Sequence, residues 1–456
     1  MIPNSKPKKI AICHYRVGGT DGVSLEIEKR KQILEKHGCE VKLIAGNYSN
    51  GSDYIIEDLE WDHGDIPIIK ESGFLYFEKK YLNTEELKKK MNQISGDIEK
   101  KLNEIQEKEN FDAVLVHNIF SFGGHIAAAR AFAKWIERYK LCTIATHHDF
   151  FWERREFRAP TSLYLKNYMD KFMPPKSKYI KHVVLNSLAQ QELLKRNEID
   201  SCVVPDIFDF DQPLWEKDTF NKDFLEQFDI KKNDLVVLQA TRVIPRKGIE
   251  IAMDFTKRLQ KNIKKLRGRK LYNGKRIGKN ANVVLIMAGY AEDEKRDYLF
   301  KLKTKSFEDK LHTKFISGHV GAERSFTAGN KKYSLWDAYV HADLITFPSV
   351  WEGWGNQFIE AVFAKKPIAI FEYPVFRKDI EPEGYKVISF GDELEKTEDE
   401  FYKVPKPHLK NAYKKTMRWL LDEDLDKKLD KNFKIAKEFH GYKVLEDFLV
   451  EELNLN

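Results

Sequence analysis

Short apolar runs alternate with amphipathic stretches along the whole chain. In the first half "KKIAICHY", "CEVKLIAG", "FDAVLVHN", "CTIATHHD" and "HVVLNS" have the length and β-branched content of strands. Helical patterns lie between them, among them "VSLEIEKRKQILEKHG", which closes on Gly38. This alternation predicts an α/β fold, a parallel sheet with helices on both faces. The pattern restarts after "SCVVPDIFDFDQP" with "DLVVLQATR", "NVVLIMAG", "HTKFISGHV", "ADLITFP" and "PIAIFEY", so two Rossmann-like domains are expected in succession. The acidic, proline-bearing stretch around 205–218 is the candidate linker. We place the domains at 1–212 and 213–420 and expect helices in 421–456 to pack back on the N-terminal domain. Residues 83–109 predict one long helix: Leu87, Met91, Ile94, Ile98, Leu102 and Ile105 recur at spacings of three and four, and Asn83 with Glu86 forms a capping pair. No repeat of 20–50 residues and no low-complexity tract beyond lysine-rich segments interrupts the pattern. Sheets of this kind bind ligands outside the carboxyl ends of their strands, so two such sheets are expected to face one interdomain cleft.

The length of 456 residues agrees with two cores, and 42% hydrophobic with 33% charged residues excludes a disordered or membrane-embedded chain. No apolar run approaches the roughly 18 residues of a membrane helix. "MIPNSKPKKIAICHY" returns to polar residues too soon for a signal peptide, and a cytoplasmic location is the default expectation. Cys13, Cys39, Cys142 and Cys202 form no CxxC pair and have no histidine at a metal-like spacing, which argues against a zinc site or a disulfide framework. A net charge of +7 is too weak a bias to imply nucleic acid. One segment stands apart: "KRLQKNIKKLRGRKLYNGKRIGK", residues 257–279, holds eleven Lys or Arg and no acid. A solvated helix end and loop is favoured there over contact with an anionic membrane surface.

The chemistry concentrates at two places in the second half. "EGWGNQFIE" puts Glu352 and Glu360 eight residues apart across two glycines, where a strand ending near Phe347 and Pro348 hands over to a helix beginning near Asn356. A glycosidase acid and base pair does not fit, because eight helical residues rise roughly 12 Å whereas paired hydrolase carboxylates stand about 5 to 9.5 Å apart. Gly353 and Gly355 instead allow backbone to approach a ligand, and free amides at the helix start suit a phosphate. Upstream, "QATRVIPRKGIEIAMDF" supplies Arg242 at a strand end and Lys247 with Gly248 at a helix opening, two cations suited to a diphosphate.

With these residues the C-terminal half resembles the nucleotide-sugar domain of the retaining glycosyltransferases of family four, the group 1 glycosyltransferases of GT-B fold. Their R-x-x-x-x-K-G and E-G-x-G-x-x-x-x-E patterns match Arg242 to Gly248 and Glu352 to Glu360, and "VVLIMAG", "FISGHV" and "HADLITFPSVWEG" fit the framework between. The resemblance implies that Arg242 and Lys247 hold a donor diphosphate and that Glu352 binds hydroxyls of the transferred sugar. It further implies that amides near Asn356 and Gln357 meet sugar or phosphate, and that Glu360 hydrogen-bonds the ribose. The N-terminal half is similar more loosely. "HYRVGGTDG", with Gly18 and Gly19, matches the glycine loop after the first strand, which approaches diphosphate and acceptor and is no GxGxxG fingerprint. In "CTIATHHDFFWER", His148 matches the histidine that faces the reacting sugar, with His147 the competing choice. The chain departs from the family at "VVPDIFD", where a proline, asparagine, glycine run is usual, and at "FEYPVFRKDI", which replaces a glycine-rich loop.

The function implied is transfer of a sugar from a nucleotide-sugar donor to an acceptor hydroxyl with retention of configuration, the leaving phosphate taking the acceptor proton and no metal cofactor taking part. The expected acceptor is small, soluble, polar and anionic, bound by Asp149, Trp152, Arg154 and Arg155 of "DFFWERREFRAP", where aromatic faces suit sugar rings and guanidinium groups suit a carboxylate. The competing reading of these arginines is pairing with Glu153 and Glu156 on a solvated turn. Alternatives are a lipid acceptor at a membrane surface, with the basic segment as contact, and a nucleotide-sugar-binding protein without turnover.

Overall fold

The structure is a computed structural model that describes residues 8–19, 21–46, 51–78, 81–291, 296–321, 323–327 and 329–455. The chain divides into two compact units, one of Met1–Ile207 with Lys443–Asn456 and one of Phe208–Tyr442.

The first unit is built on β1 (Lys9–Cys13), β2 (Glu40–Ala45), β3 (Tyr54–Ile55), β4 (Ala113–His117), β5 (Cys142–His147), β6 (Ile180–Val184) and β7 (Ser201–Val203). They pair in the order β3-β2-β1-β4-β5-β6-β7, every pairing parallel. Helices α1 (Gly22–Lys36), α2 (Ile66–Gly73), α3 (Thr84–Glu109), α4 (Ile126–Tyr139), α5 (Leu163–Phe172) and α6 (Ser187–Asn197) connect them. β4 is fully buried, as a central parallel strand must be when helices cover both of its faces. The long helix expected over 83–109 is α3, with both arms of its Asn83 and Glu86 capping box formed and its apolar stripe buried. Two short strands, β3 and β7, lie at the sheet edges, where few residues are paired and the apolar signal is weakest.

The second unit repeats the plan. Strands β8 (Leu235–Gln239), β9 (Val283–Met287), β10 (His312–Phe315), β14 (Leu344–Phe347), β15 (Ile368–Ile370) and β16 (Ile388–Ser389) form a sheet in the order β10-β9-β8-β14-β15-β16. Its pairings are parallel. Helices α7 (Phe224–Gln227), α8 (Ile249–Asn262), α9 (Arg296–Glu308), α10 (Leu335–His341), α11 (Asn356–Phe363), α12 (Lys406–Leu420) and α13 (Leu425–His440) accompany them. A small sheet of β11 (Val320–Gly321), β12 (Ser325–Thr327) and β13 (Asn330–Ser334) precedes α10, and β17 (Glu395–Lys396) pairs with β18 (Tyr402–Lys403). In each large sheet the order reverses direction once, beside β1 in the first and beside β8 in the second, and loops leaving the strands on either side of that point diverge to leave a crevice.

The boundaries differ from those expected. The stretch that reads as a linker is an anchor: Phe208 and Phe210 pack on Phe363, with ring centroids at 5.0 and 5.9 Å, and Trp215 packs on Phe363 at 4.8 Å. The second unit therefore begins at Phe208, not residue 213. The C-terminal helices also return later than expected. α13 stays in the second unit because Phe433 packs on Phe210 and Phe363 and His440 lies against Trp354. Only the last helix, α14 (Tyr442–Leu453), serves the first unit, where Glu446 pairs with Lys36 at 2.8 Å and Glu452 with Lys181 at 2.9 Å.

The basic segment continues α8 into a hairpin whose Leu266, Leu271 and Ile277 are buried. Asp343, just before β14 and 1% exposed, holds it in place: the carboxylate accepts from Asn273 at 2.9 Å, Lys275 at 2.6 Å and the Val236 amide at 2.8 Å. These contacts stand at the amino ends of β8 and β14, opposite the carboxyl edge. Asp343→Ala should cost about 3 kcal/mol, because three buried or half-buried donors lose one charged acceptor. Chemical denaturation would measure it, and a loss below about 1 kcal/mol would reduce the anchor to a surface ion pair. No described helix is long and apolar enough to cross a membrane.

Candidate active site

The order reversal in the second sheet places the end of β8 beside the end of β14, although more than a hundred residues separate them in sequence. The loop after β8 carries Thr241 and Arg242, then a single turn, Pro245–Lys247, that leads into α8 through Gly248. Gly248 has φ 57°, and a Cβ there would lie 2.5 Å from the Pro348 carbonyl oxygen. Only glycine lets the two loops come this close.

Their contact is an ion cluster. Glu352, 6% exposed, accepts from Arg246 Nη1 at 2.8 Å through one carboxylate oxygen and from the Lys247 ammonium through the other. Burial opposes ionisation of Glu352, but Lys247 and Arg246 outweigh it and hold the carboxyl below its usual range. Burial lowers the pKa of Lys247, with Arg246 and Arg242 acting the same way and Glu352 opposing. Arg242 is half-buried at the same strand end. Two cations thus meet on one carboxylate, with Arg242 close enough to act electrostatically on Lys247. The sequence pattern singled out Arg242, Lys247 and Glu352 but missed Arg246, whose role exists only because the turn at 245–247 faces Trp351, where its Nη1 also donates to the carbonyl at 2.9 Å.

The helix expected near Asn356 is α11. Its N-cap, Gly355, supplies no side chain, so no side-chain acceptor caps the first turn that contains Asn356 and Gln357. Gly355 has φ 140°, and a Cβ on it would fall on the Tyr373 hydroxyl, which donates to the Trp354 carbonyl at 2.5 Å. Tyr373 comes from "FEYPVFRKDI", so the segment that departs from the family pattern buttresses the loop of Gly353 and Gly355. Glu360, half-buried on α11, accepts from the Tyr339 hydroxyl at 2.9 Å, which fixes its rotamer.

In the first unit the reversal falls between β1 and β4. Gly18, with φ 72°, and Gly19 follow β1, but the amides that open α1 are already taken, since Asp21 accepts from Val23 and Ser24 at 3.1 and 3.2 Å. His148 follows β5 with both ring nitrogens turned to protein: Nε2 lies 3.1 Å from His117 Nδ1, and Nδ1 lies 3.8 Å from the Asp206 carboxylate. Burial, then the Arg30 charge, holds its pKa well below the ordinary imidazole value. His147 is buried deeper and faces His182 at 3.0 Å. Asp206 belongs to "VVPDIFD", the other departure from the family pattern.

The segment expected to bind the acceptor is partly spent on itself. Arg154 Nε donates to Asp149 at 2.7 Å, and Asn118 holds the other oxygen of that carboxylate at 3.4 Å. Trp152 stacks on Phe150 at 4.2 Å with Arg196 5.2 Å from its ring. Arg158 donates to the Trp152 and Glu153 carbonyls. Arg155 is exposed, 5.6 Å from the Tyr76 ring, with no acid partner among the described residues. The pairing of these arginines with Glu153 and Glu156 is therefore not what the structure places there. Glu153 instead accepts from the Phe150 amide at 2.7 Å, and burial raises its pKa to about 7.

That shift has a testable sign. Between the ordinary carboxyl value and about 7 the folded state holds a proton that the unfolded state has released, so stability falls as pH rises through this window. Glu153→Gln should melt higher than the parent at pH 8, and the two should converge at pH 5. A constant difference across that range would remove Glu153 as the source.

Residues 220–434 match the glycosyl transferases group 1 family. A mannosylglucosylglycerate synthase from Petrotoga mobilis is 38% identical over 417 residues, covering 91% of this chain and 94% of the relative. The Thermotoga maritima protein of the same description is 34% identical over 451 residues, with 98% and 99% covered. Among solved structures, a glycosyltransferase from Rickettsia africae aligns over 99% of both chains with a TM-score of 0.61 at 15% identity. Two parallel sheets, each with a single reversal of strand order, and full-length similarity to relatives of one kind lead to one assignment: the chain is a glycosyltransferase of GT-B fold and belongs to the group 1 glycosyltransferase family.

Proposed function

We propose that the protein transfers a mannosyl unit from a nucleotide-activated donor to a hydroxyl of glucosylglycerate or a similar small acidic glycoside, with retention of configuration and without a metal. The observation that carries the donor half is the meeting of Arg246 and Lys247 on Glu352, with Arg242 near Lys247, beside the uncapped start of α11. Cations beside backbone amides suit a diphosphate, and they gain most from the charge that grows on it as the glycosidic bond breaks. Glu352 turns to the sugar hydroxyls, Glu360 to the ribose, and Gly353 admits backbone between them. The names of the two relatives support the acceptor half, because a product called mannosylglucosylglycerate requires a glycerate-bearing acceptor.

In this reading the departing phosphate takes the proton of the attacking hydroxyl, so positioning and charge stabilisation carry the rate. Arg155, exposed and without an acid partner among the described residues, is the cation of the acceptor segment that suits the glycerate carboxylate. Arg154 acts with Asp149 as one unit. The test is incubation with mannose donors of UDP, GDP and ADP plus glucosylglycerate, with chelator present, the product read by mass spectrometry and its anomeric configuration by NMR. Formation of a retained mannosyl product is expected. Inversion, dependence on a divalent cation, or transfer only to neutral acceptors would each overturn the matching part of the reading.

A further inference from the structure

The first sheet holds a group that this reading has not used. His14 follows β1 at the point where the strand order reverses, and β4 lies next to β1 there. The residue is 5% exposed. Nδ1 lies 2.8 Å from the carbonyl oxygen of His117, the last residue of β4. A carbonyl only accepts, so Nδ1 carries the hydrogen and donates it. In a neutral ring Nε2 is then a lone pair. Burial lowers the His14 pKa and favours that neutral form. Among the described residues Nε2 has no partner, while Asp21 of the α1 cap, Asp149 after β5 and Arg16 of the same loop are near enough to act on the ring electrostatically.

Nε2 keeps contact with solvent at this edge, so its lone pair is open to a donor from water or a ligand. His148 offers the contrast: it also stands at a strand end, yet both of its nitrogens face protein. His117 Nε2 and His147 Nδ1 also lack partners but are fully buried, whereas His14 combines a fixed tautomer with a second nitrogen that reaches the surface.

We propose that His14 Nε2 accepts a hydrogen bond from a hydroxyl of the sugar acceptor and so orients that acceptor for attack. This rests on the proposed function above and adds a residue that touches the acceptor. A hydroxyl is the matching chemistry: the lone pair needs a donor, and a carboxylate, having none, would be repelled. The proton of the attacking hydroxyl still passes to the departing phosphate, and His14 supplies orientation only.

Two substitutions separate this role from a structural one. In His14→Asn the amide nitrogen can replace Nδ1 and keep the bond to the His117 carbonyl, but nothing reaches the place of Nε2. In His14→Gln the longer side chain can put an amide oxygen near that place while loosening the His117 anchor. The acceptor kcat/KM should fall at least about tenfold in His14→Asn, the worth of one buried hydrogen bond, and recover in part in His14→Gln. Thermal unfolding should rank them the other way, with His14→Asn the more stable. If activity instead follows stability, with Asn near the parent and Gln impaired, His14 is an anchor only and the inference fails. Absence of transfer to glucosylglycerate by the parent would overturn the proposed function itself. Parental transfer that His14→Asn leaves unchanged would overturn only the role of His14.

Discussion

Glu352→Gln should lower turnover about a hundredfold or more, the scale of losing one charged group that acts on the transition state. It should retain the thermal shift that a nucleoside diphosphate produces, since the proposed ribose contact is made by Glu360 and is untouched. The structure adds a cost that the motif does not suggest. Glu352 is the shared acceptor of Arg246 and Lys247, and Lys247 is itself 4% exposed. A neutral amide leaves a buried ammonium facing a second cation, so stability should fall by about 2 to 3 kcal/mol. Lys247→Met in the same background should return much of that stability but none of the activity. Turnover near the parental rate in Glu352→Gln would remove the carboxylate from the reaction and leave it as a structural clasp.

Gly355→Ala should be strongly damaging to both stability and activity. At φ 140° an L side chain is strained, and the added carbon would occupy the place of the buried Tyr373 hydroxyl. Backbone strain and overpacking together should cost about 3 kcal/mol or more. The start of α11 should shift with it, so activity should fall further than stability alone requires. Gly384→Ala is the control: φ there is 97°, but nothing lies within 4 Å of the added carbon, so the loss should stay near 1 kcal/mol. Tyr373→Phe in the Gly355→Ala background should recover part of the difference by removing the oxygen. Equal losses at Gly355 and Gly384 would mean that the backbone angle, not the contact with Tyr373, sets the cost.

The strands and the long helix were legible because each is a local statement. The alternation in "FDAVLVHN" and "DLVVLQATR" and the three-and-four spacing in α3 declare their periods within a dozen residues, and both halves repeat one pattern. The edge strands β3, β7 and β16 were not legible, because two or three paired residues carry no period. The unit boundary was misplaced for a related reason. "DIFDFDQPLW" has the acids and proline of a linker, but its function is set by what Phe208, Phe210 and Trp215 touch, and Phe363 lies more than a hundred residues away.

The sequence by itself determined the fold class and the chemistry of the two loops at the ends of β8 and β14, since a glycine that must turn, a cation at a strand end and a carboxylate before a helix are each specified within a few residues. Only the tertiary structure decided which of those groups act together. Parallel sheets join strands that are distant in sequence, so the reversal beside β8 brought Arg246 and Lys247 onto Glu352, and the reversal beside β1 brought the His14 ring to the end of β4. The same packing gave Arg154 to Asp149 and left Arg155 exposed. A side chain's charge is written in the chain. Its partner, its burial and therefore its protonation are fixed only when remote strands meet.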